Sequence, residues 1–282
     1  MSTPPALCDR AQLDRQRTRA RKTGAEVFLH KEVEFEIQER LIDVNRTFTD
    51  VAIVTGHPDF WRESFPNAKI VSDEDVLDLQ EGTHDLVIHA MCLHWANDPI
   101  GQLIQARRAL RSDGLLLAGF FGGQTLTELR AALGQTEITL TGGLSPRIAP
   151  MAEIRDVGGL LQRAGLALPV VDSVKKSVSY RSVRQLMHDL RAMGEGNALA
   201  ARSGRFLSRH MLESLESTYK SAFPEGDDRI RATFELMFVS GWVPDDSQQK
   251  PLRPGSAQSR LSDFLNTPEL GSDAKPVRRD EP

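Results

Sequence analysis

The chain has 282 residues, 40% of them hydrophobic and 26% charged, with a formal net charge of −4. That is enough apolar material for the core of one large α/β domain, and the acidic balance excludes a general affinity for nucleic acid, which needs a concentrated basic field. Two cysteines, Cys8 and Cys92, can build neither a disulfide framework nor a structural zinc site, which points to a reducing, cytoplasmic compartment. No stretch approaches the ~20 apolar residues of a membrane span, and no secretory apolar core is expected at the N-terminus.

Charge is unevenly placed. Residues 10–31 hold seven basic side chains (Arg10, Arg15, Arg17, Arg19, Arg21, Lys22, Lys31) against Asp14 and Glu26, a net of +5, and residues 1–25 are read as a basic N-terminal arm. Residues 73–85 hold six acids (Asp73, Glu74, Asp75, Asp78, Glu81, Asp85) and no Lys or Arg. Such runs are first read as solvated faces that touch each other. The alternative is a basic helix that docks on an acidic partner or peripherally on the inner face of a membrane.

In chain order, Val27, Phe28, Val33, Ile37, Leu41, Ile42 and Val44 recur at helical spacing and predict a helix over 26–46. A strand at 51–55 follows. The turn after it reads Gly56-His57-Pro58-Asp59-Phe60-Trp61, with one glycine where a phosphate or cofactor loop normally has two or three. Glycines there let the backbone approach a ligand at a helix N-terminus, whereas Pro58 removes a donor and Phe60 and Trp61 add bulk. Strands are expected at 68–71 and 85–90, the second an almost continuous apolar run, as for a strand buried on both faces. Asp98 and Pro99 suit the N-cap and first position of a helix running to about residue 111, closed by arginines that complement its carbonyl end. After a turn at 112–114 come a strand at 115–121, the pair Gly122-Gly123 and a helix at 124–133. A loop from Gly142-Gly143 to Pro150, a helix to residue 163 closed by Gly165, and strands at 166–171 and 174–180 follow. Helices at 182–193 and 208–223 and a long strand at 229–242 complete the domain. This order suggests an α/β fold whose parallel sheet carries an antiparallel strand at one edge. The expected organisation is a domain over 26–243, with a helical insertion at about 181–224, and a polar, flexible tail over 244–282.

The segment Leu93-His94-Trp95-Ala96-Asn97-Asp98, the turn Leu110 to Gly114 and the segment Gly122 to Leu126 resemble the S-adenosylmethionine-dependent class I methyltransferases. Adding residues 143–150, 189–194 and 248–256 narrows the resemblance to bacterial relatives of a respiratory complex I assembly factor, over about residues 7–265. The resemblance implies a Rossmann-like sheet with a helical insertion before the last antiparallel strand. It also implies S-adenosylmethionine as cofactor and a protein substrate, a complex I subunit, that undergoes methyl transfer or arginine hydroxylation. Only about 30 residues separate the glycine turn from the strand at 85, where two βα units take ~60, so the sheet is expected to lack about one βα unit. With the shortened glycine turn, this leaves a non-catalytic assembly chaperone as the competing reading. The carboxyl methyltransferase of biotin precursor synthesis is a third, disfavoured because it must bind the cofactor that the degenerate turn puts in question.

By the same resemblance, Thr55, Gly56, Ser72, Asp73, Glu74, His89 and Ala90 are placed at the cofactor, and Trp95, Gly122, Gly123, Thr125 and Arg147 at the substrate cleft. Each has a plainer reading: a solvated acidic turn for Asp73 and Glu74, a satisfied histidine for His89, strand-ending geometry for the glycines, and loop tethering for Arg147. His89, Cys92 and His94 lie close in sequence, yet no acid completes a metal set, so none is assigned. Lys250 and Arg253, flanking Pro251 and Pro254, suggest an extended basic strip that docks on the body or a partner.

Overall fold

A computed structural model describes residues 6–204, 207–248 and Thr267; the basic strip at Lys250 and Arg253 lies outside these residues. The elements described below belong to one compact unit that ends at Asp245.

Apolar runs that need cover on both faces build the centre of the sheet. Strands β1 (Val51–Thr55), β3 (His84–Ala90) and β4 (Leu110–Phe121) are parallel neighbours, and β2 (Lys69–Val71) pairs parallel to β1 on its outer side. Beyond β4 come β7 (Arg229–Trp242), antiparallel to it, and β5 (Ala167–Tyr180), antiparallel to β7. With the two-residue β6 (Pro224–Glu225) on β7, the order is β2-β1-β3-β4-β7-β5. The antiparallel strand expected at an edge is therefore interior, inserted between β4 and β5. One strand lies outside β1, so the sheet is a βα unit short on that side. The connection from β2 to β3 carries no helix.

Helices cover both faces. On one side α2 (Phe28–Val44) buries Leu29, Val33 and Ile37, one face of its turns, together with Trp61 of α3 (Pro58–Ser64) and Leu129, Ala132 and Leu133 of α5 (Thr127–Thr141). The helical insertion, α7 (Val183–Ala192) and α8 (Arg209–Ala222), joins the same core through Leu186, Leu190, Leu215 and Tyr219. On the other side α4 (Pro99–Ala109) and α6 (Ile154–Arg163) bury Leu103, Ala106, Val157 and Leu161. The caps follow the sequence: Asp98 accepts the Gly101 N–H at 2.8 Å, and Ser182 and Ser208 accept from Gln185 and Met211.

Three boundaries differ from the sequence reading. The helix expected at 124–133 begins later and runs on to Thr141, where Gly142 takes a left-handed φ of 69° and stops it. Strand β4 begins at Leu110, the residue after α4, and absorbs the expected turn as an irregularity in its pairing with β3. The two strands expected at 166–171 and 174–180 are one, because Asp172 and Ser173, which interrupt the apolar pattern, are held by Arg40 at 2.5 Å and Glu235 at 3.1 Å.

The segment read as an arm is folded onto the body. Helix α1 (Arg10–Thr23) buries Leu13, Arg17 and Ala20, and Leu13 joins Cys8, Trp95, Ala149, Ala198 and Leu199 in a small separate cluster. Asn97 ties both backbone groups of Cys8, and Gln16 Nε2 donates to the Asn197 carbonyl.

Gly119 of β4 has no room for a side chain: a Cβ there would lie 2.5 Å from Val33 Cγ1 and 3.3 Å from Phe238. Gly119→Val is expected to push α2 off the sheet and destabilise the protein by ~1–3 kcal/mol, read as a lower urea midpoint at unchanged slope.

Candidate functional site

The carboxyl ends of β1, β2 and β3 open on one side of the sheet, the place where open α/β sheets hold ligands. Here α1 lies across them. Arg17 comes from its buried face, and Nη1 donates to Asp73 Oδ1 at 2.7 Å; Arg10 reaches the same carboxylate at 3.1 and 3.3 Å. Arg21 Nη1 donates to the Gly56 carbonyl at 3.2 Å. Arg17 and Asp73 are both buried, at 2% and 1% exposure, so neither is screened by water. Burial alone would push the Asp73 carboxyl up, but the two guanidinium groups hold it far below the ordinary range. Arg17 is kept charged in turn by Asp73 against the cost of its own burial.

Around this pair stand histidines that are neutral. Burial, then the nearby Arg17 charge, lowers His57 to about 4. His30, ring centroid 4.4 Å from that of His57, accepts from Trp61 Nε1 and is lowered well below its usual value by burial and by His57. His89 has no exposed surface and is lowered to about 4 by burial. Its Nε2 meets Gln102 Oε1 at 2.7 Å, and its Nδ1 lies 3.3 Å from Cys92 Sγ. Gln102 Nε2 donates to the carbonyls of Asp73 and Glu74, which leaves its oxygen to accept and places the His89 proton on Nε2.

The residues expected at the cofactor thus separate. Gly56 and Asp73 meet Arg17, whereas Thr55 Oγ1 accepts the His57 N–H, and Asp73 is taken by arginines. Ser72 and Glu74 are exposed, bonded to each other at 3.4 Å. His89 and Ala90 are sealed in the strand layer with no exposed surface. A Cβ on Gly56 would run into Cζ, Nη1 and Nε of Arg17, so the space that the glycine leaves is filled by a guanidinium. With α1 docked, these residues do not fit S-adenosylmethionine: the cradle over the turn is full, and the acid beside it is neutralised from within.

A second space lies beyond Trp95. This cavity of about 620 Å³ is lined by Trp95, Phe121, Thr125, Leu129, Leu190 and Phe234, among others. Of the expected cleft residues, Trp95, Thr125 and Arg147 reach it, although Thr125 Oγ1 is bonded to the Glu235 backbone and Arg147 Nε to Glu137 Oε1 at 2.6 Å. Gly122 and Gly123 do not line it. They make room for Met237 and for the carboxylates of Glu235 and Glu153, the strand-ending geometry of the plainer reading.

Sequence reasoning missed Glu195. Among the described residues lining the cavity it is the one acid; Oε2 accepts from Trp95 Nε1 at 2.7 Å and meets His94 Nε2 at 3.1 Å. Oε1 is buried with no partner among the described residues. Burial pushes its carboxyl up, yet His94, Arg17 and Trp95 outweigh that and leave it below the ordinary value. The signal was its place directly after the motif at 189–194. Arg10, Arg17 and Arg21, spaced by seven and four, fall on one helical face, a pattern also available in the sequence.

A sheet of this order, with its ligand side at the ends of β1 to β3, is the class I methyltransferase architecture. The family model described as "Methyltransferase domain" matches residues 18–118. The chain is 33% identical over 272 residues to the mitochondrial arginine-hydroxylase NDUFAF5 of Danio rerio, covering 87% of this chain and 84% of that one. To the same-named human protein it is 36% identical over 192 residues, 68% of this chain and 55% of the relative. To the malonyl-[acyl-carrier protein] O-methyltransferase of Laribacter hongkongensis it is 31% identical over 188 residues, 67% and 61% of the two chains. The chain belongs to the methyltransferase-fold family that contains the NDUFAF5 arginine hydroxylases.

Two outcomes follow from the buried charges. Asp73→Asn strands Arg17 without a counter-charge and is expected to cost ~3–5 kcal/mol in chemical denaturation. Because folded His57 and His89 titrate near 4, the unfolded chain takes up protons on them first, from about pH 6.5 downward. Their contribution is therefore complete above about pH 6.5 and shrinks as pH falls toward 4. The melting temperature should drop over that window, and His57→Gln should flatten the drop.

Proposed function

We propose that this protein acts on an arginine side chain of a partner protein, a subunit of respiratory complex I, during assembly of that complex. Support comes from kinship with proteins named arginine hydroxylases and from the resemblance of residues 143–150 and 189–194. The observation that carries it is Glu195. The cavity has apolar walls at Phe121, Leu129 and Phe234 and one acid among its described lining residues, a carboxylate kept ionised. Trp95 and His94 fix that carboxylate from one side, so it complements a guanidinium without reorganising. Of the four arginines that also line the cavity, Arg147 is held by Glu137 and Arg202 by Asp9, while Arg19 and Arg191 stand at its wall.

A second reading is favoured by a specific observation. The Arg17 guanidinium over Gly56 suits a factor that holds its client without the methyl donor, and it disfavours a carboxyl methyltransferase.

The test compares complex I subunits from cells with and without this gene by peptide mass spectrometry. One arginine is expected to gain an oxygen or a methyl group only when the protein is present, and the mass separates the two reactions. Glu195→Gln should reduce the modified fraction by about tenfold or more, since a charge-assisted bond is lost. Unaltered arginines together with defective assembly in the deletion strain would replace the enzyme reading with the chaperone one.

A further inference from the structure

The glycine turn, the acid at the end of β2 and the basic helix are parts of one device. In the class I sheet a glycine after the first strand admits a ligand close to the backbone. Here Gly56 does admit a close neighbour, the guanidinium of Arg17, whose Cζ, Nη1 and Nε take the place a side chain would occupy. The two oxygens of Asp73 are met by Arg17 and Arg10, and Arg21 binds the Gly56 carbonyl from the same helix. His57 and His30 close the far side with rings 4.4 Å apart.

We propose that Arg17 is the resident occupant of this cleft: while α1 is docked, S-adenosylmethionine and the Arg17 guanidinium exclude one another, and the cofactor enters only if α1 leaves.

The fit of the occupant is incomplete. Arg17 Nε and Nη2, Arg10 Nε and His57 Nε2 are buried without a partner among the described residues. Two cations share one carboxylate. Unsatisfied buried donors oppose docking, so α1 is held mainly by the cluster around Leu13 and by the backbone ties of Cys8 and Asp9 to Asn97 and Ala198. Removal of Arg17 therefore opens the cleft while leaving the helix its apolar anchor.

The test is a calorimetric titration of the full chain with S-adenosylmethionine, for the wild type, for Arg17→Ala and for Arg17→Lys, with hydrogen exchange followed on α1. Arg17→Lys keeps a charge facing Asp73 but withdraws the planar fork from Gly56, and it serves if Arg17→Ala is too unstable to purify. Expected is binding to at least one variant that is roughly tenfold or more tighter than to the wild type. Any binding to the wild type should come with faster exchange in α1. Wild-type binding with α1 amides fully protected would overturn the proposal, and so would folded variants that bind no better than the wild type. Neither result bears on whether an arginine of a partner is modified, which is read separately by mass.

Discussion

An ionised carboxylate without water around it persists only where cations face it at hydrogen-bond distance, and much of this site follows from that condition at Asp73. The carboxylate sits at the end of a three-residue edge strand with 1% exposure. The cations come from the first helix, α1, through Arg17 and Arg10. The guanidinium must then lie flat over the β1 turn, which only glycine at 56 permits. Burial, and after it the Arg17 charge at that depth, keep the adjoining imidazole of His57 neutral. Helix α1, the glycine, the acid and the histidine are in this sense one arrangement, and changing the acid disturbs the other three.

Much of the fold was legible because its signals are local. The runs at 51–55, 86–90 and 115–121 are apolar apart from Thr55 and His89, since both faces are covered, and the caps at Asp98, Ser182 and Ser208 announce their helices. The failures are places where a distant contact overrides a local pattern. Asp172 and Ser173 read as a break, yet Arg40 and Glu235, far away in the chain, supply partners and the strand continues. The placement of β7 between β4 and β5 likewise depends on pairing that no short window contains.

The site was legible in half. The single glycine at 56 and the bulk after it indicated that the usual cofactor loop had changed; what had replaced it was invisible. The opposed charge runs at 10–31 and 73–85 do touch, through Arg10, Arg17 and Asp73, but inside the protein, where ion pairing has large consequences, and not as solvated faces. His89 turned out to be a satisfied core histidine between Gln102 and Cys92. Glu195 directly follows the motif at 189–194, but its distinction, burial with one oxygen without a partner among the described residues, is a property of packing.

The sheet explains how such a change in the cleft is tolerated. Its stability comes from two apolar layers, one under α2, α5, α7 and α8 and one under α4 and α6, and neither layer includes Arg17, Gly56, His57 or Asp73. Burial of this kind is roughly proportional to area and indifferent to what occupies the rim. A guanidinium can therefore take a ligand's place without loss of the architecture, provided its charge is matched. The apolar cavity beyond Trp95 is built from the first layer, with Leu129, Leu133, Leu190 and Phe234 shared between core and lining. It keeps its shape for the same reason. Filling the cleft and walling the cavity meet at α1, whose Arg17 fills the one while Gln12, Gln16 and Arg19 line the other, and at Glu195, which lines the cavity and lies within the field of Arg17.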